Sequence, residues 1–575
     1  MSSKNEVTRV LERIAAYLEL KGENAFRVRA YQTAARAVSG FTDDFAEAAA
    51  SGQLAELGGI GPATLQIAVE VLATGRATLL DDLRKETPSG LVDMMQISGL
   101  GVAKIRQIHK SLGIKTLSEL EEAAKDGRLA SLPRFGPKTA QKVLKSLQFL
   151  KRVGEFRLFH HARAEAQTLL PALRKLPGVS RAEIVGGIRR RREVIENMEF
   201  LIELDGSWNA LVDRLDSLVD VTEFASETEG IITIKFGSGS VASLCTSPPD
   251  EMGFHMVLTT GSAEHLEALA HRGQDLGLSW TESGVVLHGD KIDCPTEEDV
   301  YAAFELEWIP PELREGLGEI EAAARGGLPQ LVDGADLRGF IHCHSDYSDG
   351  TSTVRDWAIA ARDAGYEYVG ITDHSEAATY AGGLFRNNVK DQHEEIDRTN
   401  AELQGITVLK GIEVDILQDG SLDYTPEIRS SFDFVIASLH SRFSQDRETI
   451  TKRILRAMDD PDMAILGHPT GRLLLSRDPY PMDLDAIFSK AAECGIAIEI
   501  NADPQRLDLD WRFVRRAVAQ GVKISIGADA HNVSGMANMD LGIGIARKAW
   551  LAPSDVLNAL PLKGFLRFVA QRRNN

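Results

Sequence analysis

Six short pieces in the C-terminal region decide the reading of this chain: FIHCHSDYSDG (340–350), GITDH (370–374), KGIEVD (410–415), IASLHS (436–441), ILGHP (465–469) and SIGADAH (525–531). In each, an apolar, β-branched run stops at a His, Asp or Glu and gives way to turn residues. Strands that end by feeding polar side chains into one rim are what a multinuclear metal centre requires. The candidate ligands, also the candidate catalytic residues, are His342, His344, Asp349, His374, Glu413, His440, His468, Asp529 and His531. Residues two apart on a strand point to the same face, so His342 with His344, and Asp529 with His531, are each expected to grip one centre. Imidazoles and carboxylates together suit Zn, Mn or Fe(II). A carboxylate such as Glu413 or Asp529 can bridge two ions about 3.5–4 Å apart. A single His at a strand end is ordinarily structural, but nine such residues gathered in one region do not fit that account.

Working outward, a chain of 575 residues is too long for one core and is expected to divide into three to five domains. Its 43% apolar and 26% charged residues are those of an ordinary globular protein. No stretch reaches the ~18 apolar residues of a membrane span. The opening MSSKNEVTRVLERIAAYL reads as an amphipathic helix without a signal-peptide core. Cys245, Cys294, Cys343 and Cys494 lack disulfide or metal spacing, so a reducing cytoplasm is the expectation; the sequence does not give the oligomeric state, and a monomer is favoured. A net charge of −20 argues against indiscriminate affinity for nucleic acid; a binder with this balance must concentrate its basic residues.

The N-terminal third does so. Three similar segments stand out: LGGIGPATLQIAVEVL (57–72), ISGLGVAKIRQIHKSLG (97–113) and LPRFGPKTAQKVLKSL (132–147). Each has an apolar residue, a tight turn ending in Gly, then an amphipathic helix. Gly59, Gly61, Gly99, Gly101 and Gly136 would let a ligand approach the backbone. The N–H groups that open the second helix would face an anion such as a DNA phosphate, positioning the strand without reading sequence. Lys138 lies in the acid-free stretch Pro133–Arg152, which also holds Arg134, Lys142, Lys145, Lys151 and Arg152.

The metal motifs resemble the polymerase-and-histidinol-phosphatase (PHP) family of metal-dependent phosphoesterases, with all nine ligand positions filled. The resemblance implies a distorted (β/α)7 barrel holding up to three ions, usually Zn or Mn. It also implies hydrolysis by metal logic, in which an ion lowers the pKa of a water and its neighbours hold the phosphate oxygens. Arg386 and Arg442, just past His374 and His440, are candidate phosphate clamps. The stretch AEIVGGIRRRREVIENMEFLIEL (182–204) reads as strand, Gly-Gly turn, basic helix start and strand. With ENAFRVRAYQTAARAV (23–38) and the hairpins, it resembles the bacterial DNA polymerase X family over nearly the whole chain.

The implied architecture is multidomain, α+β and α/β. It comprises an N-terminal helical domain with a helical hairpin (1–80), a fingers-like helical domain (81–152), a nucleotidyltransferase-type palm (153–254), a thumb (255–315), a linker (316–335) and the PHP barrel (336–575). The expected partner is DNA with gapped, nicked or damaged ends.

The palm departs from the family's pattern. Gly186, Gly187, Arg189, Arg190 and Glu193 are recognisable, but the paired metal-binding aspartates fall on Asn197 and Glu199, and the third on Ala242 in SVASLC. The nucleotide-facing stretch reads Leu258-Thr259-Thr260-Gly261-Ser262, without its aromatics. Nucleotidyl transfer needs carboxylates for two Mg²⁺ ions, so DNA synthesis is expected to be absent or negligible. The run Arg189–Arg192 would then serve either as a DNA platform or as scaffolding packed on the barrel. The first expectation for function is a DNA-processing 3′–5′ exonuclease or 3′-end cleaning enzyme with Mn or Zn. The rivals are a gap-filling polymerase with exonuclease, a small-metabolite phosphatase of the histidinol-phosphatase type, and a non-enzymatic DNA-end binder.

Overall fold

Seven parallel strands close into a barrel in the order of the sequence: Gly339–Cys343, Tyr368–Ile371, Thr407–Asp415, Phe434–Ser438, Met463–Leu466, Ala497–Asn501 and Ile524–Ala530, the last pairing with the first. Helices cover the outside, so both faces of most strands are buried. These strands are therefore buried at every position, and the polar residues they carry are buried with the rest. Several covering helices begin at side-chain caps, with Thr353, Asp446 and Asp483 accepting from backbone N–H groups of the first turn, each cap contributing about 1 kcal/mol.

The computed structural model describes residues 4–41, 45–52, 54, 58–97, 100–133, 135–205, 211–215, 221–228, 230–237, 239–281 and 284–574. The chain separates into two units, Met1–Glu155 and Phe156–Asn575. In the first unit, helices Lys4–Lys21, Ala25–Gly40, Pro62–Thr74, Val102–Leu112 and Pro137–Glu155 belong to an all-helical bundle with its own core, built on Leu11, Tyr17, Val71, Ile105 and Val143. Gly61 and Gly101 stand at the N-caps of their helices, and Gly75 and Gly113 end them in the left-handed conformation at φ 71° and 69°, as helix-terminating glycines do.

In the second unit, a five-stranded palm sheet has the order Val179–Val185, Met198–Leu204, Val241–Ser247, Ile231–Phe236, Val221–Thr228. A thumb follows, with helices Met252–Thr260 and Ala263–Asp275 and the small sheet Leu278–Thr281, Gly284–Leu287, Asp290–Ile292. Palm and barrel share one hydrophobic core: Phe159, Phe200 and Leu244 belong to the same cluster as Trp357, Phe488 and Ile545. Part of the expected linker 316–335 is core as well. Ile320 and Ala323 pack into the thumb, and Glu319 is fully buried against His265 at 2.7 Å. A Pro- and Gly-rich composition marks a free connector only when its apolar residues have nowhere to go, and here the thumb receives them.

The run Arg189–Arg192 is largely consumed inside the molecule. Arg189 makes a bidentate pair with Glu297 at 2.7 and 2.6 Å, and Arg190 reaches Glu315 at 3.2 Å. Arg191, at φ 56°, pairs with Asp540 of the barrel helix Met539–Lys548 at 2.9 Å. A Cβ at Gly544 would lie 2.6 Å from Arg191 Cδ, so glycine lets the arginine lie against that helix. Lys548, 1% exposed, donates to the Arg190 carbonyl at 3.1 Å and to Glu315. The DNA-platform expectation therefore fails for three of the four arginines: their guanidiniums are occupied as the mortar between palm, thumb and barrel.

Candidate metal centre

All nine candidate ligands converge at the C-terminal rim of the barrel. Three groups bring ligand atoms within 4.8 Å of one another: His344, Asp349, His374 and His531; His342, His344 and Asp529; and His374, Glu413 and His440. His468 joins them, its Nε2 lying 3.0 Å from Glu413 Oε1 and 3.3 Å from His440 Nε2. Glu413 is fully buried among five imidazoles, with contacts from 2.9 to 3.8 Å. Asp349 and His531 are about a third exposed and mark the open side. His342 and His344 both reach the centre, but not by regular alternation. His342 sits at φ 65° in a bulge where the ladder steps from Ile341 to Cys343, and such bulges re-aim side chains.

Buried His342 Nε2 and His344 Nδ1 have no hydrogen-bond partner. Buried nitrogens left this way beside carboxylates fit a set of donors awaiting cations. The electrostatics agree. Burial opposes ionisation of Glu413 and Asp529, yet the surrounding histidines hold both well below the usual carboxylate range. Burial and the neighbouring His374 and His531 push His344 down to about 3. Burial also opposes protonation of His440 and His531, but Glu413 and Asp415 raise the first to about 10, and Asp349 and Asp529 raise the second to about 9.

Several supporting residues were not singled out from the sequence. Asp415 accepts from His440 Nδ1 at 2.6 Å. Asp373 accepts from the backbone N–H of Ser345 at 2.8 Å and from the hydroxyls of Ser345 and Ser348, pinning the loop between His344 and Asp349. Glu499 and Asn501 on the sixth strand touch His342, His468 and Asp529. Arg506 Nε lies 3.5 Å from Asp529. Tyr380, 68% exposed, has its ring 6.0 Å from that of His374 and 6.1 Å from that of His440, and Phe385 on the same loop is 58% exposed. The sequence signal for Asp373 and Asp415 was present in GITDH and KGIEVD; that for Glu499 was weaker, because AIEIN ends without a histidine. Of the phosphate-clamp candidates, Arg386 is turned onto Glu376 at 2.7 Å, while Arg442 is exposed at φ 63°.

In the palm, a polar cleft of about 830 Å³ is lined by Arg192, Glu196, Asn197, Glu199, Glu264 and Arg512, among others. The placement of Ala242 needs correction. Ala242 pairs in register with Met198 and is fully buried, whereas Ser243 pairs with Glu199 and accepts a hydrogen bond from Asn197 Nδ2. Strand alternation puts Ser243, and not Ala242, on the face of Asn197 and Glu199. The one-residue slip restores no carboxylate. Glu199 folds back to accept the Gly187 N–H at 3.1 Å, and burial raises its pKa. A Cβ at Gly186, which has φ 63°, would meet Glu199 Oε2 at 1.6 Å, so the glycine makes room for this arrangement.

At the hairpins, a Cβ added to Gly61, Gly101 or Gly136 would meet nothing within 4 Å, leaving these helix starts open to approach. Gly59 has φ 95° and lies against Thr33, so its glycine is also demanded by the turn. Lys138 is exposed, and Gly99 and Arg134 lie outside the described residues. No helix among the described residues is long and apolar enough to cross a membrane.

Comparison with known proteins matches this layout. Models of a helix-hairpin-helix domain, a SAM-like helix-hairpin-helix tandem, a DNA polymerase beta thumb and a PHP domain match residues 2–77, 91–148, 255–315 and 341–503. The DNA polymerase/3′-5′ exonuclease PolX of Bacillus subtilis is 33% identical over 575 residues, covering all of both chains. A probable phosphatase of Thermoanaerobacter sp. is 31% identical over 218 residues, 36% of this chain and 84% of its own length. One of Clostridium acetobutylicum is 34% identical over 210 residues, 35% of this chain and 81% of its own. With full-length similarity to a polymerase/exonuclease and the hairpin, thumb and PHP modules in sequence, the chain belongs to the bacterial DNA polymerase X family.

Proposed function

We propose that this protein is a DNA-binding, metal-dependent phosphodiesterase, a 3′–5′ exonuclease or 3′-end processing enzyme of DNA repair, carried on a polymerase frame whose own active site is disabled. The observation behind this reading is a contrast between two sites. The barrel rim gathers nine ligand-type side chains around a buried Glu413. The palm face offers Asn197 and Ser243, with Glu199 turned onto its own Gly-Gly turn. A neutral amide, a hydroxyl and a committed glutamate cannot hold the two ions that nucleotidyl transfer needs.

In the barrel, His342, His344, Asp349, His374, Glu413, His440, His468, Asp529 and His531 would hold Mn²⁺ or Zn²⁺. When bound, such ions supply an activated water and positive charge for the phosphate oxygens. The chain's own side chains do the rest. Arg506, beside Asp529, and Arg442, exposed two residues past His440, would orient the phosphate, and Asp349 and His531, the most exposed of the nine, would border the side from which the scissile bond enters. Tyr380 and Phe385 offer exposed rings on which bases of a strand end can stack. The open glycine turns and Lys138 serve the DNA backbone.

The test is one gel. A 5′-labelled gapped primer–template is incubated with the protein and Mn²⁺, with and without dNTPs, beside the His342→Ala/His344→Ala variant. Shortening that ignores dNTPs and vanishes in the variant is the expected result. Extension with dNTPs would favour the second reading, a gap-filling polymerase with exonuclease, which the full-length likeness to the Bacillus protein supports. Neither product would turn attention to small phosphate esters, to which the barrel's likeness to probable phosphatases points.

A further inference from the structure

The sixth barrel strand, Ala497–Asn501, is the one strand of the seven that delivers no candidate ligand. Its two polar side chains are nevertheless fully buried at the centre. Glu499 Oε1 accepts from His342 Nδ1; Glu499 Oε2 accepts the His468 backbone N–H at 2.6 Å and the Asn501 amide at 3.2 Å. Asn501 Nδ2 also donates to Asp529 Oδ2 at 3.0 Å. Both oxygens of Glu499 are thus spent on N–H donors. A Cβ at Gly527 would lie 2.1 Å from Glu499 Oε1 and 2.9 Å from His342 Cβ, so the neighbouring strand is glycine where the carboxylate must fit.

The three ligands that this pair touches share a second property. His342, His468 and Asp529 have φ of 65°, 21° and 50°, and they alone among the nine have a positive φ. Non-glycine residues in that region persist only where their surroundings over-determine them. We propose that Glu499, with Asn501, is the positioning device of the metal centre: it holds three strained ligands in place and fixes His342 as the tautomer whose Nε2 is free to bind a cation. The inference rests on the metal reading of the nine residues. Its chemistry is specific to a carboxylate. Three N–H donors converge on Glu499, and an amide has one acceptor oxygen, so glutamine must turn its own N–H₂ toward a donor. If that donor is His342 Nδ1, the ring must carry its proton on Nε2, where a cation would bind.

The experiment uses the full chain, stripped of metal and titrated with Mn²⁺. Ion content after equilibrium dialysis is measured beside the melting curve of the metal-free protein and nuclease activity at low and high Mn²⁺. Glu499→Gln is expected to weaken ion binding by about 10–100-fold, to lower activity at low Mn²⁺ and to recover it at high Mn²⁺. Asn501→Ala, which leaves the Glu499–His342 contact in place, provides a milder variant should Glu499→Gln fold poorly, and a smaller loss in the same direction is expected. Glu499→Gln and Asn501→Ala that bind Mn²⁺ with wild-type number and affinity would overturn the proposal, while loss of ions from His342→Ala/His344→Ala would leave the metal reading standing. A wild-type chain that takes up no Mn²⁺ or Zn²⁺ would overturn both.

Discussion

Removing one carboxylate from the thumb should loosen the whole polymerase frame. Glu297 begins the helix Glu297–Ala303 and is 8% exposed. It accepts a bidentate pair from Arg189 of the palm at 2.7 and 2.6 Å and a bond from the fully buried Arg314 at 2.5 Å. Burial alone would raise its pKa, but the two guanidiniums hold it down to about 2, against an ordinary 4.5. Each tenfold change in an acid constant corresponds to about 1.4 kcal/mol, so the folded state favours the ionised form by about 3 kcal/mol.

Glu297→Gln keeps the shape and removes the charge, leaving Arg314 buried without its counter-ion. The expected loss is about 3 kcal/mol, in the range found on breaking buried pairs. In urea the slope is about 1–3 kcal/mol per molar for small proteins and steeper for a unit as large as Phe156–Asn575, so the midpoint should fall by about 0.5–1 M. Trp308 Nε1 lies 3.4 Å from Glu297, so its fluorescence reports on the node. The sign with pH follows from a depressed carboxylate pKa: the stabilisation is complete above about pH 4.5 and is lost as pH falls toward 2. The gap between wild type and variant should therefore be constant from pH 7 to 5 and shrink by about 1.4 kcal/mol per pH unit below that. A midpoint change under about 0.3 M, or a gap that widens on acidification, would refute the argument.

Other contacts in the molecule carry expected outcomes of their own. Lys138→Glu should weaken DNA binding to a similar degree for every sequence and lower the slope of log affinity against log salt by about 0.9, measured by fluorescence anisotropy; an unchanged slope would remove Lys138 from the DNA contact. Tyr380→Ala should weaken binding of single-stranded ends by the ~1–3 kcal/mol of one stacked base while hydrolysis of a nitrophenyl phosphodiester stays at wild-type rate; equal losses on both substrates would show that Tyr380 supports the ligands instead. Chelation should lower the melting temperature of the intact chain and Mn²⁺ should restore it, since an ion at 100 times its Kd adds about 2.7 kcal/mol; a melting curve indifferent to both would count against a metal centre.

What the sequence disclosed, and what it hid, divides along physical lines. A polar residue ending an apolar strand is conspicuous, so the nine rim residues could be picked out from six short pieces. Glu499 is just as buried, yet its partner His342 stands 157 residues away on another strand, and nothing local advertises the contact. The slip from Ser243 to Ala242 has the same origin: alternation gives two faces, but only pairing with Met198 and Glu199 says which is which. The basic run Arg189–Arg192 shows how charge misleads. Four arginines in a row suggest a polyanion outside, whereas three of them pair with Glu297, Glu315 and Asp540 of the same chain, scattered over some 240 residues of sequence. The stretch after 315 looked like a tether because its glycines and prolines were more visible than Ile320 and Ala323.

The seam between palm and barrel bears on how such a chain can change over time. Lys548 is charged, 1% exposed, and faces a carbonyl and a carboxylate that both come from outside the barrel. Cut away everything before residue 336, and that ammonium and the apolar surface shared with Phe159, Phe200 and Leu244 would be stranded. The palm is therefore held by the barrel's core whatever chemistry its cleft performs. Substitutions that line the cleft leave that shared wall standing, whereas substitutions in the wall would unseat both modules at once.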